Sequence, residues 1–151
     1  MYSALIVADD GKKMRSEKPA ILHEVCFKSI ISWVLGGLCE ANEKVIISNG
    51  NEGLQTVPKS AKVIIYGKQS VQGALAQAEN ILGKSENILL LRGNTPFIEK
   101  QTIKEALGLH ISNKNDATVL TADLLNSYGY YRVLRGKNEE IKKITKGGKT
   151  K

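Results

Sequence analysis

Four short apolar runs limit what this chain can become: SALIVA at residues 3–8, KVIIS at 44–48, AKVIIY at 61–66 and ENILLL at 86–91. Each is far shorter than the ~20 apolar residues that cross a bilayer, and too continuously apolar for a strand with one face in water. Runs of this kind are strands buried on both faces, and they belong to parallel sheets covered by helices. Helical periodicity fills the intervals. Ile30, Ile31, Val34, Leu35 and Leu38 recur at helical spacing, with Asn42 as a stop, which predicts a core-facing helix of about three turns. Gly36 and Gly37 weaken it by roughly 1 kcal/mol each relative to alanine, so packing must hold it. Val71, Leu75, Ala78 and Leu82 share one side of a second helix over 70–82, closed by Gly83. Ile103, Ala106, Leu107 and His110 mark a third over 99–112.

Three further strands are expected near the end of the chain, at 117–122 (ATVLTA), 130–135 and 140–145, while 49–60 has room for only a turn or two of helix. This order implies an α/β class with three α/β/α layers, the sheet mostly parallel with an antiparallel addition near its C-terminal end. The run at 86–91, the most apolar, is expected at the centre of the sheet. Trp33 reads as core. At 151 residues the chain supports one hydrophobic core, which gives one domain over 1–145 and a basic tail over 146–151.

The first strand runs directly into DDGKKMRSEKP, a charged loop with Gly11 as its flexible point. In open α/β sheets this junction is where ligands sit. The net charge of +7 and a pI near 9.4 favour anionic ligands, although five of the lysines lie in the last ten residues, where they form a solvated tail. No aromatic residues interleave with those lysines, which argues against specific nucleic-acid recognition. No apolar stretch suits a membrane. No basic leader precedes the first strand, so a cytoplasmic protein is expected. Cys26 and Cys39 stand thirteen apart with no second pair beside them, which reads as two buried, reduced thiols rather than a zinc site. His110, alone near a helix end, is given no role.

The stretch LIVADDGKKMRSEKPAILHEV resembles the opening of the sugar-1-phosphate nucleotidyltransferases, whose pattern is roughly LAAGxGTRMxSxxPKxLxxV. It is most similar to the uridyltransferase domain of the bifunctional bacterial enzyme that makes UDP-N-acetylglucosamine. Met14, Ser16, Pro19, Leu22, His23 and Val25 coincide with that domain. Residues 68–73 (KQSVQG) stand where the family has its base-reading QLGTG, residues 92–96 (RGNTP) where it has YGDxP, and residues 127–132 (SYGYYR) resemble its TGYGR. Four ordered pieces in proper strand contexts are a stronger signal than any one alone.

The resemblance implies a Rossmann-like nucleotidyltransferase fold of the GT-A kind, Mg²⁺ as cofactor, and UTP or a sugar nucleotide as ligand. It implies a reaction in which UTP and N-acetylglucosamine-1-phosphate give UDP-N-acetylglucosamine and pyrophosphate by in-line attack on the α-phosphorus, catalysed by positioning and charge neutralisation. Carried over residue by residue, nucleotide binding falls on Ala8, Asp9, Gly11, Lys12, Lys13, Tyr66, Gln69 and Gly73. The sugar falls on Gly129 and Lys146, the catalytic cation on Lys13 in place of the family arginine, and the metal on Asn94 in place of the family aspartate. The family's left-handed β-helix acetyltransferase domain is not expected in this chain.

Several of these positions depart from the family in charge. Asp9 replaces the first loop glycine, and a carboxylate ~4 Å from a phosphate costs on the order of 4 kcal/mol at an effective dielectric near 20, about a thousandfold in affinity. Lys13 brings a point charge where the family has a planar fork. Ala20 stands where the family has its phosphate lysine, and Asn94 removes an anion from the metal site. The leading expectation is a uridyltransferase-like domain with catalysis weak or lost and nucleotide or anion binding retained. The alternatives are an active nucleotidyltransferase in which Asp9 or Asp10 supplies the missing carboxylate, and an interaction or scaffold module that engages a protein partner or a second copy of itself.

Overall fold

In the computed structural model the described residues are 1–8, 15–50, 54, 57–67, 71–126, 129–137 and 140–146, with the backbone alone for Val71. The chain divides into two compact units, Met1–Glu105 and Ala106–Lys151. In the first, β1 (Ser3–Ala8), β4 (Lys44–Ser48), β5 (Lys62–Ile65) and β6 (Ile88–Arg92) form a parallel sheet of order β5-β4-β1-β6. A short 3₁₀ turn (Ala20–Leu22) and a hairpin of β2 (Glu24–Val25) and β3 (Lys28–Ser29) lead into α1 (Ile30–Gly37). Helix α2 (Val71–Leu82) connects β5 to β6, and α3 (Lys100–Ser112) follows β6.

The parallel register pairs Leu5 with Val45 and Val7 with Ile47, so these four residues share one face. Helix α2 lies on that face. Its Ala74, Ala78 and Leu82 form a buried cluster with Leu5, Val45 and Ile47. Small residues at two of the three helix positions let α2 come close to the sheet. Ala4, Ile6 and Ile46 alternate to the other face and are fully buried as well, which is why β1 and β4 read as unbroken apolar runs. On that side α1 approaches the connection from β6 to α3. A Cβ on Gly37 would lie 2.6 Å from the Ile98 carbonyl oxygen, and the rings of Trp33 and Phe97 are 6.2 Å apart.

Ser29 closes β3 and caps α1, its Oγ accepting the Ser32 amide at 3.3 Å. The helix then runs eight residues, shorter than its periodicity suggested, because Gly36 and Gly37 end it before Leu38. Trp33 is only half-buried. Its Nε1 donates to the Val25 carbonyl at 2.9 Å, and Lys28 Nζ sits 4.5 Å from its ring, so it pins the hairpin to the helix. The hairpin turn is Cys26–Phe27, with φ of +51° and +60°, both in the left-handed region. Phe27 is fully exposed there.

Other expectations need correction. The run at 86–91 contributes β6, which is the edge strand among the described residues rather than the centre, and Ile88 and Leu90 on its α2 face are half or more exposed, while α2 packs mainly over β1, β4 and β5. Leu75 is exposed too, since the buried side of α2 is carried by its alanines and Leu82. Both cysteines are exposed, Cys26 in the hairpin turn and Cys39 just beyond the end of α1.

In the second unit β7 (Tyr131–Arg135) pairs antiparallel with β8 (Ile141–Lys146), the addition expected near the C-terminal end. The strand expected at 117–122 is not formed: these residues are exposed and join no ladder among the described residues, and a parallel strand has no stability without both a neighbour and cover. His110 Nδ1 lies 3.0 Å from Thr118 Oγ1, a local tie after α3. No helix among the described residues is long and apolar enough to cross a membrane.

Candidate functional site

In the first unit the carboxyl ends of the four parallel strands meet one cleft of about 450 Å³. Val7 and Ala8 come from β1, Leu90, Leu91 and Arg92 from β6, Asn49 from the end of β4, and Tyr66 from the end of β5. The location follows from topology. From β1 the chain passes to β4 and β5 on one side and returns to β6 on the other, so the connections part between β1 and β6 and leave a crevice there. The Gly93 amide donates to the Val7 carbonyl at 2.8 Å and fastens the two strand ends together. A Cβ at Gly93 would meet Ile21 Cγ2 at 2.9 Å, so glycine is what allows the 3₁₀ turn to seat against the strand ends.

The floor of the cleft is apolar and its rim is polar. Arg92 is the one charged side chain among the described lining residues, with the Asn49 amide and the half-buried Tyr66 toward the β5 side. Helix α2 follows β5 and runs against the strand direction, so its N-terminus, with the positive end of its dipole, lies at this same end of the sheet. An arginine, a helix N-terminus, an amide and a phenol suit an anion joined to a flat, uncharged ring.

The sequence-derived residues fall into three groups. Ala8 and Tyr66 line the cleft, and Gly73 lies in the first turn of α2. Asn94 is exposed in the turn after β6, beside the cleft-lining Arg92. Gly129, with φ of +84°, and Lys146, paired with Tyr131, lie together at one end of the β7–β8 hairpin in the second unit. Asp9, Asp10, Gly11, Lys12, Lys13 and Gln69 lie outside the described residues, as does the tail beyond Lys146.

Two cleft residues, Asn49 and Arg92, were not singled out as ligand residues from sequence. The signal was available: each stands at the carboxyl end of a strand of a parallel sheet, the position that borders the crevice. For Mg²⁺ the described residues offer a poor fit. Asn94 brings one neutral oxygen, and among the described residues no group of three His, Cys, Asp or Glu comes together. A hard dication wants several anionic or carbonyl oxygens, so no step is assigned to a metal on these residues.

No protein-family model matches the chain. Over 95% of its length it is similar to proteins named bifunctional protein GlmU. It is 32% identical over 149 residues to that of Thermoanaerobacter pseudethanolicus and 35% identical over 153 residues to that of Clostridium tetani. It spans about a third of the length of these relatives, 33% and 34% respectively. Among solved structures, a CMP:2-keto-3-deoxy-manno-octonic acid synthetase complexed with CTP superposes with a TM-score of 0.58 at 17% identity, covering 75% of this chain and 48% of that one. The 2-C-methyl-D-erythritol 4-phosphate cytidylyltransferase of Thermus thermophilus gives 0.51 at 14% identity, covering 96% and 64%. At such identities these structures speak for the fold alone.

Proposed function

From a chain related along nearly its whole length to one third of the GlmU proteins, and folded as nucleotidyltransferases are, we propose a nucleotidyltransferase-like domain that binds a uridine nucleotide or sugar nucleotide and turns it over weakly or not at all. The observation that carries the reading is the placement of the cleft. It opens at the crossover between β1 and β6, with the start of α2 at the same end of the sheet.

Within this reading, Ala8 gives the ligand a close approach to the end of β1, Tyr66 and Asn49 border its base, and Gly73 keeps the first turn of α2 clear of side chain. Lys12, Lys13 and Gln69 are proposed as further nucleotide-binding residues, and Gly129 and Lys146 of the second unit as sugar-binding residues. Weak turnover is inferred from charge. Phosphoryl and nucleotidyl transfer depend on cations that gather the oxygens and stabilise the transition state, and Ala20 and Asn94 supply neither a cation nor a metal-binding carboxylate. A cytoplasmic location accompanies the reading.

The test is a thermal-shift panel with UTP, UDP-N-acetylglucosamine and other nucleotides, with and without Mg²⁺, alongside a coupled pyrophosphate-release assay with UTP and N-acetylglucosamine-1-phosphate. A ligand at a hundred times its dissociation constant stabilises by about 2.7 kcal/mol, an easily measured shift. The reading expects stabilisation by uridine nucleotides with little pyrophosphate release. A flat panel would end it, and turnover of several per second would end its catalytic half.

A further inference from the structure

We propose that Arg92 is the residue by which the cleft grips the phosphate groups of its ligand, replacing on one face of the sheet the positive charge that Ala20 fails to supply on the other. The proposal rests on the nucleotide-binding reading above and deepens it. Arg92 is the last residue of β6 and stands opposite Val7 in the parallel register. Paired residues of neighbouring strands share a face, and Val7 packs against the cluster under α2, so Arg92 lies on the α2 side. Gly93, one residue on, turns to the opposite side, where Ile21 Cγ2 closes against it. Ala20 directly precedes Ile21 and is 4% exposed. Positions 20 and 92 therefore serve the same end of the same sheet from its two faces. One holds a buried methyl group, and the other the one charged side chain among the described residues lining the cleft.

Three features suit the exposed Arg92 to hold an anion. It lines the cleft together with Val7 and Leu90, apolar residues on its own face of the sheet. The N-terminus of α2 lies at the same end of the sheet, on the same face, and adds a field of the same sign. Its guanidinium offers five donors in a planar fork, the geometry that takes two phosphate oxygens at once. Among the described residues the opposite rim is uncharged. Tyr66 ends β5, three strand spacings from β6, a span of roughly 14 Å. A nucleotide fits that span, with its base toward Tyr66 and Asn49 and its phosphates at Arg92.

The experiment measures binding of UTP, uridine and inorganic tripolyphosphate to the full chain by calorimetry, for the wild type, R92Q and R92K, with melting temperatures as a check on folding. The expectation is that R92Q weakens UTP and tripolyphosphate by about tenfold or more and leaves uridine unchanged, with R92K in between because it keeps the charge and loses the fork. UTP bound equally by the wild type and a folded R92Q overturns the role of Arg92 and leaves the nucleotide reading intact. Tripolyphosphate bound through Arg92 without any uridine binding upholds Arg92 and removes the uridine specificity. Equal weakening of uridine and UTP would make Arg92 a structural residue and overturn the proposal, and a wild type that binds none of the three overturns proposal and reading together. Should R92Q fail to fold, R92K decides: several-fold weaker UTP binding with uridine unchanged supports the proposal, and wild-type affinity for UTP refutes it.

Discussion

Replacing Phe27 by glycine should stabilise this protein although it removes an aromatic side chain. Phe27 is the second residue of the two-residue turn between β2 and β3, with φ of +60°, and its side chain is fully exposed. Two consecutive residues of positive φ joining antiparallel strands make a turn of the I′ kind, for which Asn-Gly is the favoured pair. A Cβ in the left-handed region costs roughly 1–2 kcal/mol, and glycine relieves all of it. Against this, glycine adds unfolded-state entropy worth about 0.5–1 kcal/mol. No burial is lost. The balance is a gain of about 0–1.5 kcal/mol, centred near 0.75, and for a chain of this size 1 kcal/mol moves the melting temperature by about 2–4 °C. The assay is thermal or urea unfolding of the wild type, Phe27→Gly and Phe27→Ala, the alanine variant losing the ring while keeping the strained Cβ. The expected order is glycine above wild type, with alanine level with wild type. If alanine stabilised as much as glycine, the relevant property would be the exposed ring and not the backbone. If both variants destabilised, Phe27 would be making a contact and the strain argument would be refuted.

Three other perturbations test different parts of the fold. Gly93→Ala places a methyl group 2.9 Å from Ile21 Cγ2 and should destabilise by about 1–3 kcal/mol in urea unfolding, with less than additive loss in the double variant Ile21→Val/Gly93→Ala, where the smaller side chain makes room. Ser29→Ala removes the acceptor for the Ser32 amide at the start of α1 and should cost about 1 kcal/mol by the same measurement, since an eight-residue helix has few turns over which to spread the loss. Glu40 and Lys100 form an ion pair at 2.6 Å: the Lys100 side chain holds the Glu40 carboxyl below its ordinary range, and Glu40 raises the Lys100 ammonium above its own. A lowered carboxyl contributes stability above its unfolded value and loses it as pH falls through the folded one, while a raised ammonium contributes below its unfolded value and loses it as pH rises through the folded one. The wild type should therefore exceed Glu40→Gln in melting temperature between the two ranges, slightly because both groups are exposed, and the difference should vanish at either extreme and in high salt.

The parallel sheet was legible because β1, β4, β5 and β6 are unbroken apolar runs, and the period of two or three or four residues cannot mislead when a strand is covered on both faces. Apolarity could not give order within the sheet. ENILLL contains the most leucine yet forms the edge among the described residues, since the position of a strand depends on its connections and not on its own composition. ATVLTA has strand-like residues but lacks the neighbour that would make them a strand. The β2–β3 hairpin escaped notice because Cys-Phe is not a turn-forming pair, so its dihedral angles contradict the local signal. At the cleft, the residues found by resemblance, Ala8 and Tyr66, were joined by Asn49 and Arg92, which strand ends alone would have pointed to. A motif marks positions where a family is alike. It is silent about side chains that lie outside the motif's matching positions.

The foot of the sheet is built differently from its cleft. Ser3, fully buried, shares a hydroxyl hydrogen bond of 2.6 Å with Ser85 and accepts the Glu43 amide at 3.3 Å, while its own amide donates to the Asn87 carbonyl at 3.1 Å. Two separate stretches of chain, at 43 and at 85–87, are thereby tied to β1 at the end remote from the cleft. These bonds hold the foot of β1 to its neighbours without any cleft-lining side chain, so exposed side chains at the opposite end can change without disturbing them. That division of labour keeps the anchoring of the strands apart from the chemistry of their tips, and it makes this chain a frame on which a new ligand preference could be written by changing strand tips alone.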